Sequence, residues 1–167
     1  MKVKISCLQH YRDIFSGEGI ELILLGKSAD DIERLAKGIV NIDSNFLFPT
    51  DNKEKLHRYA KKLIEHGYNF ILTDGNSDIG VLSIYANDFV TKTAYTSTIG
   101  IIPSYRGGNL IANLVNFGLE FAKEIGMEKF KAEIHKVNSR WLKFLFRFKF
   151  QIECETVNKT YIIVRDL

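Results

Sequence analysis

The segment TIGIIPSYRGGNLIANLVNFGLEFAKEI, residues 98–125, constrains the fold more than any other part of the chain. It opens with the β-branched residues Ile99, Ile101 and Ile102, which favour a strand, and the pattern breaks at Pro103. After a turn that contains glycine, apolar residues recur at helical spacing. The segment therefore predicts a strand that leads through a short turn into a helix.

The predicted helix leaves only one narrow polar stripe, so we expect it to lie mostly buried against a sheet. The stripe consists of Asn109, Asn113, Asn116, Glu120 and Lys123. Gly126 supplies the C-terminal stop. The first amides of a helix lack intrahelical partners and carry a partial positive charge, so this turn predicts a site for a phosphate or pyrophosphate.

The composition fits one globular domain. The chain has 167 residues, of which 46% are hydrophobic and 26% charged, and this is enough to build a core without a second domain. The formal net charge of +3 fits ordinary solubility and is also compatible with anionic ligands, and it does not mark a nucleic-acid binder. Cys7 and Cys154 are far apart, and neither a signal peptide nor a long apolar run stands out, so we expect a cytoplasmic protein without disulfides.

Periodicity predicts the remaining elements. Candidate strands are residues 3–8, 20–25, 70–73, 79–85, 93–102, 129–135, 150–156 and 161–165, and one or both of the first two are expected to form. Besides the central helix, candidate helices are residues 29–40, a segment between Thr50 as N-cap and Gly67, and 140–148. The order is strand, two helices, three antiparallel strands, helix, strand, helix and two strands.

The turn of the central segment contains part of a known signature. Arg106 is followed by Gly107 and Gly108, with Asn109 three and Ile111 five residues after it. Together with the order of elements, this turn resembles the signature of the GNAT superfamily of acyl-CoA-dependent N-acyltransferases. The family has glycine at the position of Asn109 and glycine or alanine at the position of Ile111. The resemblance implies a single acyltransferase domain over residues 1–167. It also implies an α+β, sandwich-like fold with a mixed, mostly antiparallel sheet of six to seven strands flanked by about four helices.

A second similarity to the family lies around the last helix. Asn138 matches an Asn that follows the preceding strand, and Phe150 matches an aromatic residue after the helix. Leu145 stands where the family commonly has a tyrosine that protonates the leaving thiolate. The resemblance implies acetyl-CoA as co-substrate, bound by Ile101, Arg106, Gly107, Gly108, Asn109, Leu110, Ile111 and Asn138.

The implied reaction is direct attack of an amine on the thioester of acetyl-CoA, so we expect an N-acetyltransferase acting on a small-molecule amine. An alkylammonium group with a pKa near 10 is only about 0.1% neutral at pH 7, so a catalytic base is expected. Tyr95 falls near the position where some family members place a Glu, and Ser97 follows along the same face. Glu133 and His135 on the next strand are alternatives, and each of the four also fits an ordinary strand position.

Other features bear on acceptor and partners. Phe48, Pro49 and Tyr85 are expected to shape the acceptor pocket. The basic, aromatic segment 140–150 is interpreted as core rather than as a surface for membrane or nucleic acid, and the histidines lack metal-ligand spacing. We expect a monomer or homodimer. Because the positions of Asn109, Ile111 and Leu145 depart from the family pattern, a catalytically silent acyl-CoA-binding or interaction module is the alternative function.

Overall fold

The computed structural model describes residues 5–42 and 52–167. Its helices are α1 (Ser6–Ser16), α2 (Ala29–Ile42), α3 (Lys53–His66), α4 (Leu110–Ile125) and α5 (Ser139–Phe146). Its strands are β1 (Glu21–Leu24), β2 (Tyr68–Thr73), β3 (Asp78–Asp88), β4 (Thr93–Ile101), β5 (Lys129–His135), β6 (Gln151–Glu155) and β7 (Thr160–Asp166). A 3-10 turn, Pro103–Tyr105, follows β4.

The seven strands form one sheet in the order β1-β2-β3-β4-β5-β7-β6. All neighbours are antiparallel except β4 and β5, which run parallel with α4 as their crossover. The predicted α+β class with a mixed, mostly antiparallel sheet is confirmed. The described residues contain one helix more than the expected four.

The additional helix is α1, which lies where one of two candidate strands was placed. Ser6–Ser16 is helical, whereas the second candidate forms β1. Cys7, Tyr11 and Phe15 are the buried residues of α1, and their spacing of four places them on one helical face. The short alternation of apolar residues at the start of the chain therefore predicted a strand where the longer helical period of α1 applies.

Helices cover the sheet on both faces. The larger apolar cluster joins residues of α1, α4 and α5 to one face, and the smaller joins α2 and α3 to the other. Phe117 and Phe121 of α4 are fully buried, and each packs edge to face against Phe70 of β2. The predicted burial of the central helix is confirmed, with Gly126 in the left-handed region at its end.

Two local predictions near the helix ends need correction. The N-cap of α3 is Asn52, whose side chain accepts a hydrogen bond from the Lys55 amide; Thr50 lies outside the described residues. In α5 only Leu142 and Leu145 are buried, and Phe146 is 41% exposed, so this helix is less buried than its composition suggested. An eight-residue amphipathic helix at the margin of the sheet has only one side to bury.

Candidate functional site

The parallel strands β4 and β5 pair over only four residues. Thr93–Thr96 is paired with Lys129–Ala132, and beyond this the two strands part. A bulge on the other side of β4 contributes to the separation, because Thr96 lies opposite Ile84 and Thr98 opposite Ser83, leaving Ser97 as an extra residue. The sheet therefore opens into a gap at Ser97.

The gap is a cavity of about 380 Å³ between β4, β5, α3 and α5. The residues singled out in the sequence that line it are Tyr85, Tyr95, Ser97, Glu133, His135, Asn138, Leu145 and Phe150. The hydroxyl oxygen of Ser97 is buried there without a hydrogen-bond partner in the described chain. A buried polar group of this kind is satisfied when a ligand supplies the partner.

The wall of the cavity towards α3 is aromatic. Tyr59 and Lys62 of α3 join Tyr85 and Tyr95 there, and the Tyr59 hydroxyl lies 3.1 Å from the hydroxyl oxygen of Thr98. Burial, followed by the negative charge of Glu133, raises the pKa of Tyr95 to about 12. Tyr95 is therefore a neutral phenol at physiological pH and keeps the proton that a hydrogen-bond donor needs.

Glu133 is the only carboxylate among the described residues that line the cavity. One of its oxygens, Oε1, accepts a hydrogen bond of 2.6 Å from the hydroxyl of Thr160 on β7. Within the described part of the chain no hydrogen bond occupies the other oxygen, Oε2. The site thus holds an anchored carboxylate with one oxygen available to a ligand.

The opposite wall comes from α5. Asn138 occupies the N-cap position of this helix, yet its side chain makes no capping hydrogen bond, and it lines the cavity. Trp141 also lines the cavity and stacks on Phe144, with ring centroids 5.1 Å apart. Leu145 adds an apolar side chain without a proton to donate.

The glycine-containing turn before α4 is exposed. Gly107 has a φ of +93°, and a Cβ at Gly107 or Gly108 would meet no heavy atom within 4 Å. The first bond of α4 runs from the Asn113 amide to the Asn109 carbonyl, so the amides of residues 110–112 lack intrahelical partners. Bare backbone with open space in front of it fits a pyrophosphate.

The other predicted cofactor-binding residues lie outside the cavity lining. Ile101 is 2% exposed and pairs with Gly80, so the cleft-facing part of β4 ends at Ile99. Leu110 is buried and Ile111 packs against the larger apolar cluster, so neither plugs the gap. Phe48 and Pro49 lie outside the described residues.

We next compared the sequence with known protein families, and the result agrees with this geometry. The model of the acetyltransferase (GNAT) family matches residues 36–150. The chain belongs to this family. No curated protein matches the sequence.

Solved acetyltransferase structures share the fold at low identity. An acetyltransferase from Thermus thermophilus is 17% identical with a TM-score of 0.71, covering 89% of this chain and 97% of its own. The PaiA N-acetyltransferase of Thermoplasma acidophilum in complex with coenzyme A is 16% identical with a TM-score of 0.70, covering 89% and 99%. Spermidine N-acetyltransferase of Vibrio cholerae is 15% identical with a TM-score of 0.67, covering 89% and 94%.

Some residues of this GNAT site were not singled out in the sequence. Tyr59 and Trp141 fit the apolar faces of their helices, so the helical spacing predicted that they pack in the core and gave no sign that they line the cavity. No motif in the sequence marked Lys62 or Thr160 as part of a site, because their positions near the cavity depend on packing between distant segments. Within residues 5–42 and 52–167, no group of three metal-ligating side chains is found, and no helix is long and apolar enough to cross a membrane.

Proposed function

We propose that this GNAT protein transfers the acetyl group of acetyl-CoA to the amine of a small-molecule acceptor by direct attack. The observation that carries the proposal is the gap between β4 and β5, because Glu133 lines this gap. An exposed glycine-containing turn lies beyond the end of β4. Two of the three structural neighbours described above are named as N-acetyltransferases, which supports an amine as acceptor.

The turn is suited to the pyrophosphate of acetyl-CoA. Gly107 and Gly108 offer backbone without side chains, and the free amides of residues 110–112 add a partial positive charge. The segment Ser97–Ile99 of β4 lines the gap, where its backbone can stabilise the oxyanion that develops on the thioester carbonyl. Asn138 has a free side chain at the cavity wall to contact the same ligand.

Glu133 is our candidate for the base. When the amine nitrogen bonds to the carbonyl carbon, the carbon–sulfur bond breaks, the thiolate leaves with the electron pair, and the amine loses a proton. Before attack, Oε2 of Glu133 accepts a proton from the bound ammonium, directly or through water, which gives the neutral amine that attack requires. The proton that the nitrogen loses as the amide forms passes to the departing thiolate or to water. Ser97 and Tyr95 serve as hydrogen-bonding groups for the acceptor, since a neutral phenol is a donor.

Kinetics with acetyl-CoA and a panel of amines, followed by detection of free thiol, tests the proposal. We expect turnover for the wild type and a loss of about 100-fold or more for Glu133→Gln with an alkylamine. Glu153→Gln is the matched control, because this exposed carboxylate pairs with Lys131 outside the cavity lining. Equal activity of Glu133→Gln and wild type removes Glu133 as the base.

The alternative is a catalytically silent acyl-CoA-binding module, favoured by the apolar Leu145 in the cavity wall. Calorimetry separates the two functions. Acetyl-CoA binding without thiol release from any amine, amino sugar, amino acid or polyamine supports the silent module. Absence of binding rejects both functions.

A further inference from the structure

A chain of hydrogen bonds leads from the β6–β7 turn to Glu133. The Asn158 amide donates to the hydroxyl oxygen of Thr156 over 3.2 Å. The hydroxyl oxygens of Thr156 and Thr160 are 2.5 Å apart, and Thr160 donates to Oε1 of Glu133 over 2.6 Å. Thr160 is 1% exposed, so the donor side of the last bond is shielded from water, and Glu133 is half-buried.

The chain has a defined direction when Glu133 is ionised. A carboxylate only accepts hydrogen bonds, so the Thr160 proton points to Glu133. Thr156 must then donate to Thr160, which agrees with its acceptance of the Asn158 amide. Thr160 is therefore the one member of the chain that donates to the carboxylate itself.

Thr160 is the only hydrogen-bond partner of the Glu133 carboxylate in the described part of the chain. Lys131 lies two residues earlier on the same face of β5, but its ammonium group contacts both oxygens of Glu153, at 2.9 and 2.8 Å. Tyr95 interacts with Glu133 electrostatically without a hydrogen bond to it. Without Thr160, no other hydrogen bond or ion pair among the described residues would hold this flexible side chain in one rotamer.

We propose that Thr160 is a positioning residue, which anchors Oε1 of Glu133 so that Oε2 faces the acceptor amine. The inference rests on the proposed function, in which Glu133 is the base. A catalytic group held by a buried second residue keeps the geometry that proton transfer requires, whereas a carboxylate free to rotate does not. The β6–β7 turn thereby contributes to the active site without touching the substrate.

The test compares Thr160→Val, which removes the hydroxyl at nearly constant shape, with Thr160→Ser, which retains it. With an alkylamine, we expect kcat of Thr160→Val to fall about tenfold to a hundredfold while KM for acetyl-CoA is unchanged, and Thr160→Ser to restore most of it. With an arylhydrazine, whose terminal nitrogen is far less basic than an alkylamine and is neutral at an assay pH near 7, we expect a loss below about threefold, because this acceptor needs less help from a base.

Thr156→Val is the second variant, because it breaks the chain one bond earlier and leaves the bond from Thr160 to Glu133 intact. We expect it to retain activity within about threefold of wild type. An equal loss in Thr156→Val and Thr160→Val, or an equal loss with both acceptors, overturns the proposal in favour of hairpin packing. A Thr160→Val enzyme as active as wild type overturns it as well.

A measurement independent of turnover tests the hydrogen bond itself. In proton NMR, we expect a slowly exchanging hydroxyl signal from Thr160 that disappears in Glu133→Gln or shifts strongly, and its absence in the wild type overturns the inference. Failure of the proposed function looks different: the wild type is inactive with every amine, or Glu133→Gln is as active as wild type. Impairment of Glu133→Gln with normal Thr160→Val kinetics overturns the positioning role alone.

Discussion

Arg106 donates from Nη2 to the main-chain carbonyl of Ile42, over 2.6 Å, and so joins the turn before α4 to the end of α2. Its Nε donates to the carbonyl of Ile101 over 3.1 Å. The arginine of the family signature therefore bonds to the backbone of the protein, and we infer that it shapes the turn for the pyrophosphate.

Replacing Arg106 with alanine should destabilise the fold and weaken acetyl-CoA binding together. Hydrogen bonds from a charged group to carbonyls suggest a loss of about 1 to 2 kcal/mol in the free energy of unfolding, measured by urea titration. Arg58→Ala is the control, because its exposed ion pair with Glu54 spans 3.9 Å and contributes little. An unchanged urea midpoint for Arg106→Ala contradicts the structural role.

Alanine substitutions at Gly107 and Gly108 separate the effect of backbone strain on stability from the effect of an added Cβ on ligand binding. Gly107 has a φ of +93°, so alanine there should cost about 1 to 2 kcal/mol of stability, whereas Gly108→Ala meets open space without that conformation. Both variants should bind acetyl-CoA more weakly in calorimetry, because each adds a Cβ where the pyrophosphate approaches. Unchanged affinity in Gly108→Ala rules out close contact at that residue.

The sequence predicted the elements around this turn well, because their signals are local. The β-branched run, the proline, the glycines and the helical period all lie within 98–125. The start of α1 has no such signal. Its N-cap residue, Ile5, makes no side-chain cap, and the Cys7 amide bonds instead to Glu124, 117 residues away. Local patterns cannot show a cap supplied by another helix.

The site was predictable in part. Strand assignments put Tyr95 and Glu133 on neighbouring strands, but the bulge at Ser97 and the bond from Thr160 to Glu133 depend on register across the sheet. Register is fixed by packing of whole faces rather than by the few residues that bond. The sequence therefore indicated which residues were chemically suitable without showing how the base is held.

Glu124 should make stability depend on pH through α1. The Ser6 hydroxyl, 2.5 Å from Oε1, is the main cause that lowers the pKa of Glu124 below its ordinary 4.5, with the Cys7 amide adding to it. A depressed folded-state pKa contributes stability above the unfolded value, and this is lost as pH falls through the folded one. Glu124→Gln should thus be destabilised at pH 7, and its difference from wild type should shrink below about pH 4.

Urea unfolding at the two pH values measures this difference. Glu18→Gln, at an exposed position after α1, is the control with the same change of charge. A difference between Glu124→Gln and wild type that is constant with pH means that the carboxylate does not cap α1 by its charge.

Tyr95 should not titrate in the working range of the enzyme. Since burial and Glu133 raise its pKa to about 12, the phenol stays protonated from pH 6 to 9, and ionisation cannot shape the rate there. For Tyr95→Phe we therefore expect a pH profile of kcat/KM with the same shape as wild type, lowered uniformly by about two- to tenfold through the lost hydrogen bond. A basic limb that disappears in Tyr95→Phe assigns the proton transfer to this residue.

Leu145 tests how much the reaction depends on protonation of the leaving thiolate. It is 5% exposed and lines the cavity, so a larger residue at this position must be judged against one of equal size. A thiol with a pKa near 8.5 leaves tolerably without an acid, so Leu145→Tyr should raise kcat over Leu145→Phe by no more than about tenfold. Both variants share the cost of overpacking, and only tyrosine adds a proton donor. Equal kcat values in the two mean that thiolate departure does not limit turnover, because an added acid accelerates only the step that needs its proton.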